Sequence, residues 1–83
     1  MNMNEDIVLT LEQWRKLKGF TQESLAKASG ITARTIGNYE KDVKLLENAQ
    51  YSTIKTIADV LEIKVSNIFL DSTSEKPKLT IGG

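Results

Sequence analysis

The 83-residue chain has no cysteine, no histidine and a single proline, Pro77. Without cysteine there is no disulfide, thiolate metal site or redox pair. Without histidine the usual proton carrier near neutral pH and the commonest metal ligand are both missing. Asp and Glu are left as the plausible acid–base groups, and none of them pairs with a recognisable nucleophile, so the chain reads as a non-enzyme with no metal and no cofactor. Long apolar runs are absent too: none approaches the roughly 18 residues of a membrane span. The first ten residues carry Glu5 and Asp6 where a secretory signal would carry Lys or Arg. These absences predict a cytoplasmic protein with no membrane partner. An excess of one charge is also lacking, since 11 Lys plus Arg stand against 11 Asp plus Glu. Zero net charge is the opposite of the basic balance by which a phosphate-binding protein usually announces itself.

The length allows one small domain, which buries only about 60% of the surface its unfolded chain exposes, so its core must be simple. Residues 1–9 show no helical period and read as an N-terminal arm. Residues 71–83 (DSTSEKPKLTIGG) read as a flexible C-terminal tail. Between them the start signals predict a compact all-α domain over 10–70, with no alternating run that would support a sheet. Thr10 and Gln13 have the spacing of a capping box and open a first helix that stops at Gly19. Thr21 caps a second, ending at Gly30, which suits a left-handed cap position. Thr32 starts a third, which holds Ile36 and Tyr39 on one face. Ser52 is expected to cap a fourth, whose Ile54, Ile57, Ala58 and Leu61 form a buried stripe, and Ser66 to introduce a short fifth anchored by Ile68 and Phe69. The predicted core adds Leu11, Trp14, Phe20, Leu25, Ala26, Ile31, Ile63 and Val65. The polar connection 41–50 has room for a short turn of its own and carries Val43, Leu45 and Leu46, which either pack beneath it or meet a protein partner.

Two short helices joined by three residues are too tightly connected to lie antiparallel, so they cross steeply in a helix-turn-helix. The segment from Gln22 to Tyr39 supplies what that geometry needs. Ala26 is small where the helices pass close, Gly30 stands at the turn, and Leu25, Ile31, Ile36 and Tyr39 pin both helices to the core. With Gly19-Phe20-Thr21-Gln22-Glu23-Ser24-Leu25-Ala26, Gly30 and Arg34-Thr35-Ile36-Gly37-Asn38-Tyr39-Glu40 in this order, the chain resembles the Cro/CI-type, lambda-repressor-like helix-turn-helix domains of the xenobiotic-response-element family. The likeness covers about Thr10 to Leu70, and its second part is STIKTIADVLEIKVSNIF, 52–69.

The resemblance implies a five-helix bundle whose third helix enters the DNA major groove. It makes Gln22 a phosphate contact, sets Thr32 and Thr35 near the phosphate backbone, and places Ala33, Arg34 and Asn38 on the groove-facing side. It also implies that Arg15 and Glu40 form an ion pair joining the first helix to the end of the third. The chemistry of the residues agrees. Positions 34 and 38 are one turn apart, opposite Ile36 and Tyr39. Arg34 suits O6 and N7 of guanine, Asn38 suits N6 and N7 of adenine, and the Ala33 methyl suits a thymine methyl. Gln22 and Thr32, near helix N-termini, suit phosphate oxygens.

Gly37 admits two readings: it ends the third helix early, which would carry Asn38 off the groove-facing side, or its missing side chain lets the helix sit closer to DNA. The expected function is a sequence-specific transcriptional regulator, a repressor of phage-like or mobile-element type. It would act as a homodimer on a palindromic double-stranded operator, because one such module gains little affinity alone. The dimer surface is open between the fifth helix at 68–70, Leu79 and Ile81 of the tail, and the 43–46 loop. The competing expectation is an antitoxin or other protein-interaction module that uses the tail or the 41–50 loop on a protein partner. The distribution of charge removes the objection raised by its sum. Residues 11–44 hold seven basic and four acidic side chains, an excess of three positive charges on the segment expected to face DNA.

Overall fold

The computed structural model describes residues 7–70, which form five α-helices and one turn of 3-10 helix, with no strand among them. The helices are α1 (Leu11–Leu17), α2 (Gln22–Ser29), α3 (Ala33–Lys41), α4 (Val43–Glu47) and α5 (Tyr51–Leu61), and the 3-10 turn spans Val65–Asn67.

The first three helices begin where their capping residues stand. Thr10 Oγ1 accepts from the Gln13 amide at 3.1 Å, while the Thr10 amide donates to Gln13 Oε1 at 2.8 Å. Thr21 and Ser24 repeat the exchange at the head of α2, each bond 2.9 Å long. Thr32 Oγ1 accepts from the Thr35 amide at 3.1 Å at the head of α3. Each cap satisfies backbone N–H groups that a helix start leaves without partners. The stops are glycines in the left-handed region, Gly19 at φ 82° and Gly30 at φ 79°, where a β-carbon would be strained.

The second half departs from the expected boundaries. Gly37 does not end the third helix: α3 runs on to Lys41, and the Asp42 amide still donates to the Asn38 carbonyl at 3.0 Å. The 41–50 connection contains a helix, α4, because the Asp42 carboxylate accepts from the Lys44 amide at 3.0 Å and caps it. Ser52 is not a cap. Gln50 precedes α5 without a side-chain bond, and Ser52 lies in the first turn, its carbonyl accepting from Thr56 Oγ1 at 2.8 Å. The buried stripe, rather than a capping residue, fixes where α5 begins. Ser66 does not open a fifth helix but sits inside the 3-10 turn. That turn cannot lengthen, since the Phe69 amide donates to the Leu9 carbonyl at 2.8 Å and is lost to any helical ladder. Five α-helices are present, but α4 takes the place of the one expected at 66.

Trp14, Leu25, Ile36, Ile57, Ala58 and Leu61 are fully buried, with Leu11, Ile54, Ile63, Ile68 and Phe69 close behind. Phe20, Ala26, Ile31, Tyr39 and Val65, expected in the core, are half-buried at its margin. Leu9, expected in the N-terminal arm, and Leu46, expected either beneath its loop or at a partner, are both buried. Leu9 pairs with Ile68 in a parallel bridge, its amide donating to the Asn67 carbonyl at 3.0 Å, so the domain takes in the last residues of the expected arm. Asn67, itself buried, accepts the Trp14 indole N–H on its carbonyl at 2.7 Å and donates from Nδ2 to the Ile7 carbonyl at 2.8 Å. These bonds join the first described residues to the last turn of the domain. Leu25 and Ile36 then seat α2 and α3 on this closed body, leaving their opposite faces outward. The expected tail, with Leu79 and Ile81, lies outside the described residues.

Candidate nucleic-acid interface

The outer side of the helix-turn-helix is built on α3. Three exposed residues, Arg34, Asn38 and Lys41, follow one another at spacings of four and three, hence on a single stripe opposite the buried Ile36. Beside the stripe, Gln22, Ala33, Gly37 and Glu40 share with it a concavity of about 570 Å³, which Glu12 also lines. A second hollow of about 550 Å³, floored by Ala33 and Arg34 and bounded by Thr21, Gln22 and Glu23, adjoins it over α2. The structure thus brings Gln22, Ala33, Arg34 and Asn38 to one surface. Thr32 and Thr35 stand at the N-terminal edge of α3, bonded to each other: the Thr32 hydroxyl donates to Thr35 Oγ1 at 2.9 Å.

Glu40 ties this surface together from beneath. Its side chain is 4% exposed and its Oε2 accepts from Arg15 Nε at 2.6 Å. Oε1 accepts from Arg15 Nη2 at 3.2 Å and from Gln22 Nε2 at 3.1 Å. Arg15 Nη1 donates in turn to the Phe20 carbonyl at 2.8 Å, fixing the link between α1 and α2. This two-pronged ion pair raises the Arg15 pKa above its ordinary value, chiefly through the hydrogen bond to Glu40, against the opposing effect of burial. The shift lies far above physiological pH, so Arg15 stays charged wherever the protein is folded. Two consequences follow for the surface. The Glu40 carboxylate, neutralised by Arg15, does not oppose the positive stripe beside it, and Glu12, the other acid lining the same concavity, is paired with Lys16 at 3.1 Å. The Gln22 carboxamide is also held in place, with one N–H spent on Glu40 and its other N–H and oxygen unspent.

The arrangement offers donors in a fixed pattern: a guanidinium, a carboxamide and an ammonium along one helical stripe, with a second carboxamide at its flank. Such donors match phosphate oxygens and the acceptor-rich edges of bases. Lys41 and the bond from Gln22 to Glu40 were not among the sequence expectations. Lys41 was legible as the next member of the 34, 38 series, whereas the Gln22 bond crosses between helices and leaves no mark in local spacing. The described residues hold no group of acidic side chains that could bind a metal ion and no helix long and apolar enough to cross a membrane.

Comparison with known proteins agrees with this geometry. The helix-turn-helix family model matches residues 11–68. The chain is 40% identical over 58 residues to an uncharacterized HTH-type transcriptional regulator, YazB, of Bacillus subtilis (strain 168), covering 70% of this chain and 80% of the relative. No solved structure matches it. Closed around Leu25 and Ile36, with α3 turned outward after a three-residue turn, the chain belongs to the Cro/CI-type helix-turn-helix family of DNA-binding transcriptional regulators.

Proposed function

We propose that the protein is a sequence-specific repressor that lays α3 in the major groove of a palindromic operator as a homodimer. The observation that carries this reading is the single exposed stripe of Arg34, Asn38 and Lys41 on α3, flanked by Gln22. Arg34 reads guanine, Asn38 adenine, and Ala33 a thymine methyl. Gln22, Thr32 and Thr35 hold the phosphates that set register. Repression needs no chemistry, only occupation of a site that polymerase must use. Two copies about 34 Å apart, one helical turn, supply the affinity that one module lacks. Of the dimer surfaces open from sequence, Ile68, Phe69 and Leu46 are spent in the core, which leaves the 48%-exposed Leu45 of α4 as the apolar residue of that loop facing outward.

Selection of duplexes from a random pool, at low and moderate salt, tests the reading. The expected product is a palindrome whose binding weakens steeply with salt. Arg34→Ala should lose about 1 to 3 kcal/mol and relax preference at one base pair, whereas Gln22→Ala should weaken all sequences alike. Recovery of no motif, or salt-indifferent binding, overturns the reading and favours a protein-binding antitoxin on the same scaffold.

A further inference from the structure

Gly37 is the residue of α3 that weakens the helix with no return visible in the fold. It lies in the interior of a nine-residue helix, with an ordinary negative φ, and glycine is a poor helix former at such a site. Close packing does not demand it either. A β-carbon built at 37 would meet only the Gln22 carboxamide, at 3.6 Å from Nε2 and 3.7 Å from Oε1, which is normal van der Waals contact. Alanine would therefore fit, lengthen no bond and strengthen the helix. A glycine that neither turning nor packing requires leaves this stretch of the α3 backbone open to close approach from outside the chain.

The position of Gly37 says what that is. At about 100° per residue it stands about 60° around α3 from Arg34 on one side and from Glu40 on the other. It therefore lies between the exposed stripe and the Gln22 carboxamide that Glu40 holds. An α-helix with its side chains is about 10–12 Å across and the major groove about 12 Å wide, so clearance along the flanks of α3 is small. A methyl group would project about 1.5 Å into it.

We propose that Gly37 is a DNA-contact position, kept bare so that the sugar–phosphate strand held by Gln22 can close on the backbone of α3. The proposal rests on the DNA-binding reading above and adds to it a residue that sets how deeply the helix seats. Because the approaching strand is backbone and not base, filling the position weakens selected and scrambled duplexes by the same factor.

The test is Gly37→Ala in the full chain, with Gly37→Ser as a second variant that adds bulk without the helix-forming gain of alanine. Thermal unfolding followed by circular dichroism should show Gly37→Ala more stable, with Tm raised by about 4 °C. Titration of fluorescent duplexes should show both variants binding the selected operator and a scrambled control about tenfold more weakly than the parent chain, with base preference unchanged. Wild-type affinity in Gly37→Ala together with the raised Tm overturns the proposal while leaving the DNA reading standing. A changed preference at one base pair overturns the assignment to the phosphate strand. Failure of the parent chain itself to bind any duplex overturns the DNA reading and the proposal with it.

Discussion

Removing the Glu40 carboxylate attacks fold and interface together, and the structure allows the cost to be worked out. In Glu40→Ala the Arg15 side chain, 9% exposed, keeps its charge but loses both bonds to the carboxylate. Breaking a buried pair from one side typically costs about 3 to 5 kcal/mol, most of it for the charge left uncompensated. A domain of this length has about 4 to 12 kcal/mol in total, so the variant should approach half-unfolding in mild conditions. The double variant Arg15→Met/Glu40→Leu removes both charges and fills their space with apolar atoms, and should recover at least about 2 kcal/mol of that loss. Its recovery stays incomplete, because the Phe20 carbonyl also loses its Arg15 donor. Urea titrations of the parent, Arg15→Met, Glu40→Leu and the double give the coupling energy directly. A coupling below about 1 kcal/mol would place the pair with ordinary surface bridges and refute the reasoning. The double variant also separates the two roles of Glu40. It should fold, yet bind all duplexes more weakly, because the Gln22 carboxamide has lost its holder.

Asn67→Ala should cost about 2 to 4 kcal/mol by urea titration, since it removes the bonds to the Ile7 carbonyl and from the Lys64 amide in a buried setting. Trp14→Phe should cost less at the same joint, because the Asn67 carbonyl keeps the Leu9 amide as a donor; an equal or larger loss would refute this division. Lys55 pairs with Asp59 on the exposed face of α5, and that hydrogen bond raises its pKa. A raised pKa means that any contribution is whole below the ordinary lysine range and fades as pH climbs through it. Lys55→Ala in physiological salt should leave Tm at neutral pH unchanged within about 2 °C, and a larger fall would show that the pair is not screened by solvent.

The parts of the molecule legible in its sequence are those written in neighbouring residues. Thr10 with Gln13 and Thr32 with Thr35 place two helix starts through bonds three residues long, and the 54, 57, 58, 61 stripe places α5 through its period. Where a distant partner decides, local reading fails. Ser66 has the form of a cap, but the Phe69 amide beyond it is taken by Leu9, nearly sixty residues earlier. Leu9 itself belongs to no periodic run and is buried because it closes the joint with Ile68. Asn67 illustrates the limit most clearly. A lone asparagine near a chain's end carries no sequence signal of burial, and its value lies in bonds to Ile7, Leu9 and Trp14 that only the folded chain brings near. At the interface the same rule sorts Arg34, Asn38 and Lys41, readable by spacing, from the Gln22–Glu40 bond, which is not.

The zero net charge takes its meaning from this arrangement. A uniformly basic protein of this size would hold any duplex through counterion release, and its specific site would compete against strong non-specific binding. In this chain the positive excess of three lies in residues 11–44, and within that segment Glu40 and Glu12 are each matched to a cation, by Arg15 and Lys16. With the two acids of the concavity matched internally, Arg34 and Lys41 carry the positive charge on its rim, while Glu23, across the adjoining hollow from Arg34, and Asp42, next to Lys41, keep the local excess small. Under the proposed function few phosphates are neutralised per copy, so low non-specific affinity is expected and binding rests on geometry: on the seating of α3, on the held carboxamide of Gln22, and on the second copy of the proposed dimer.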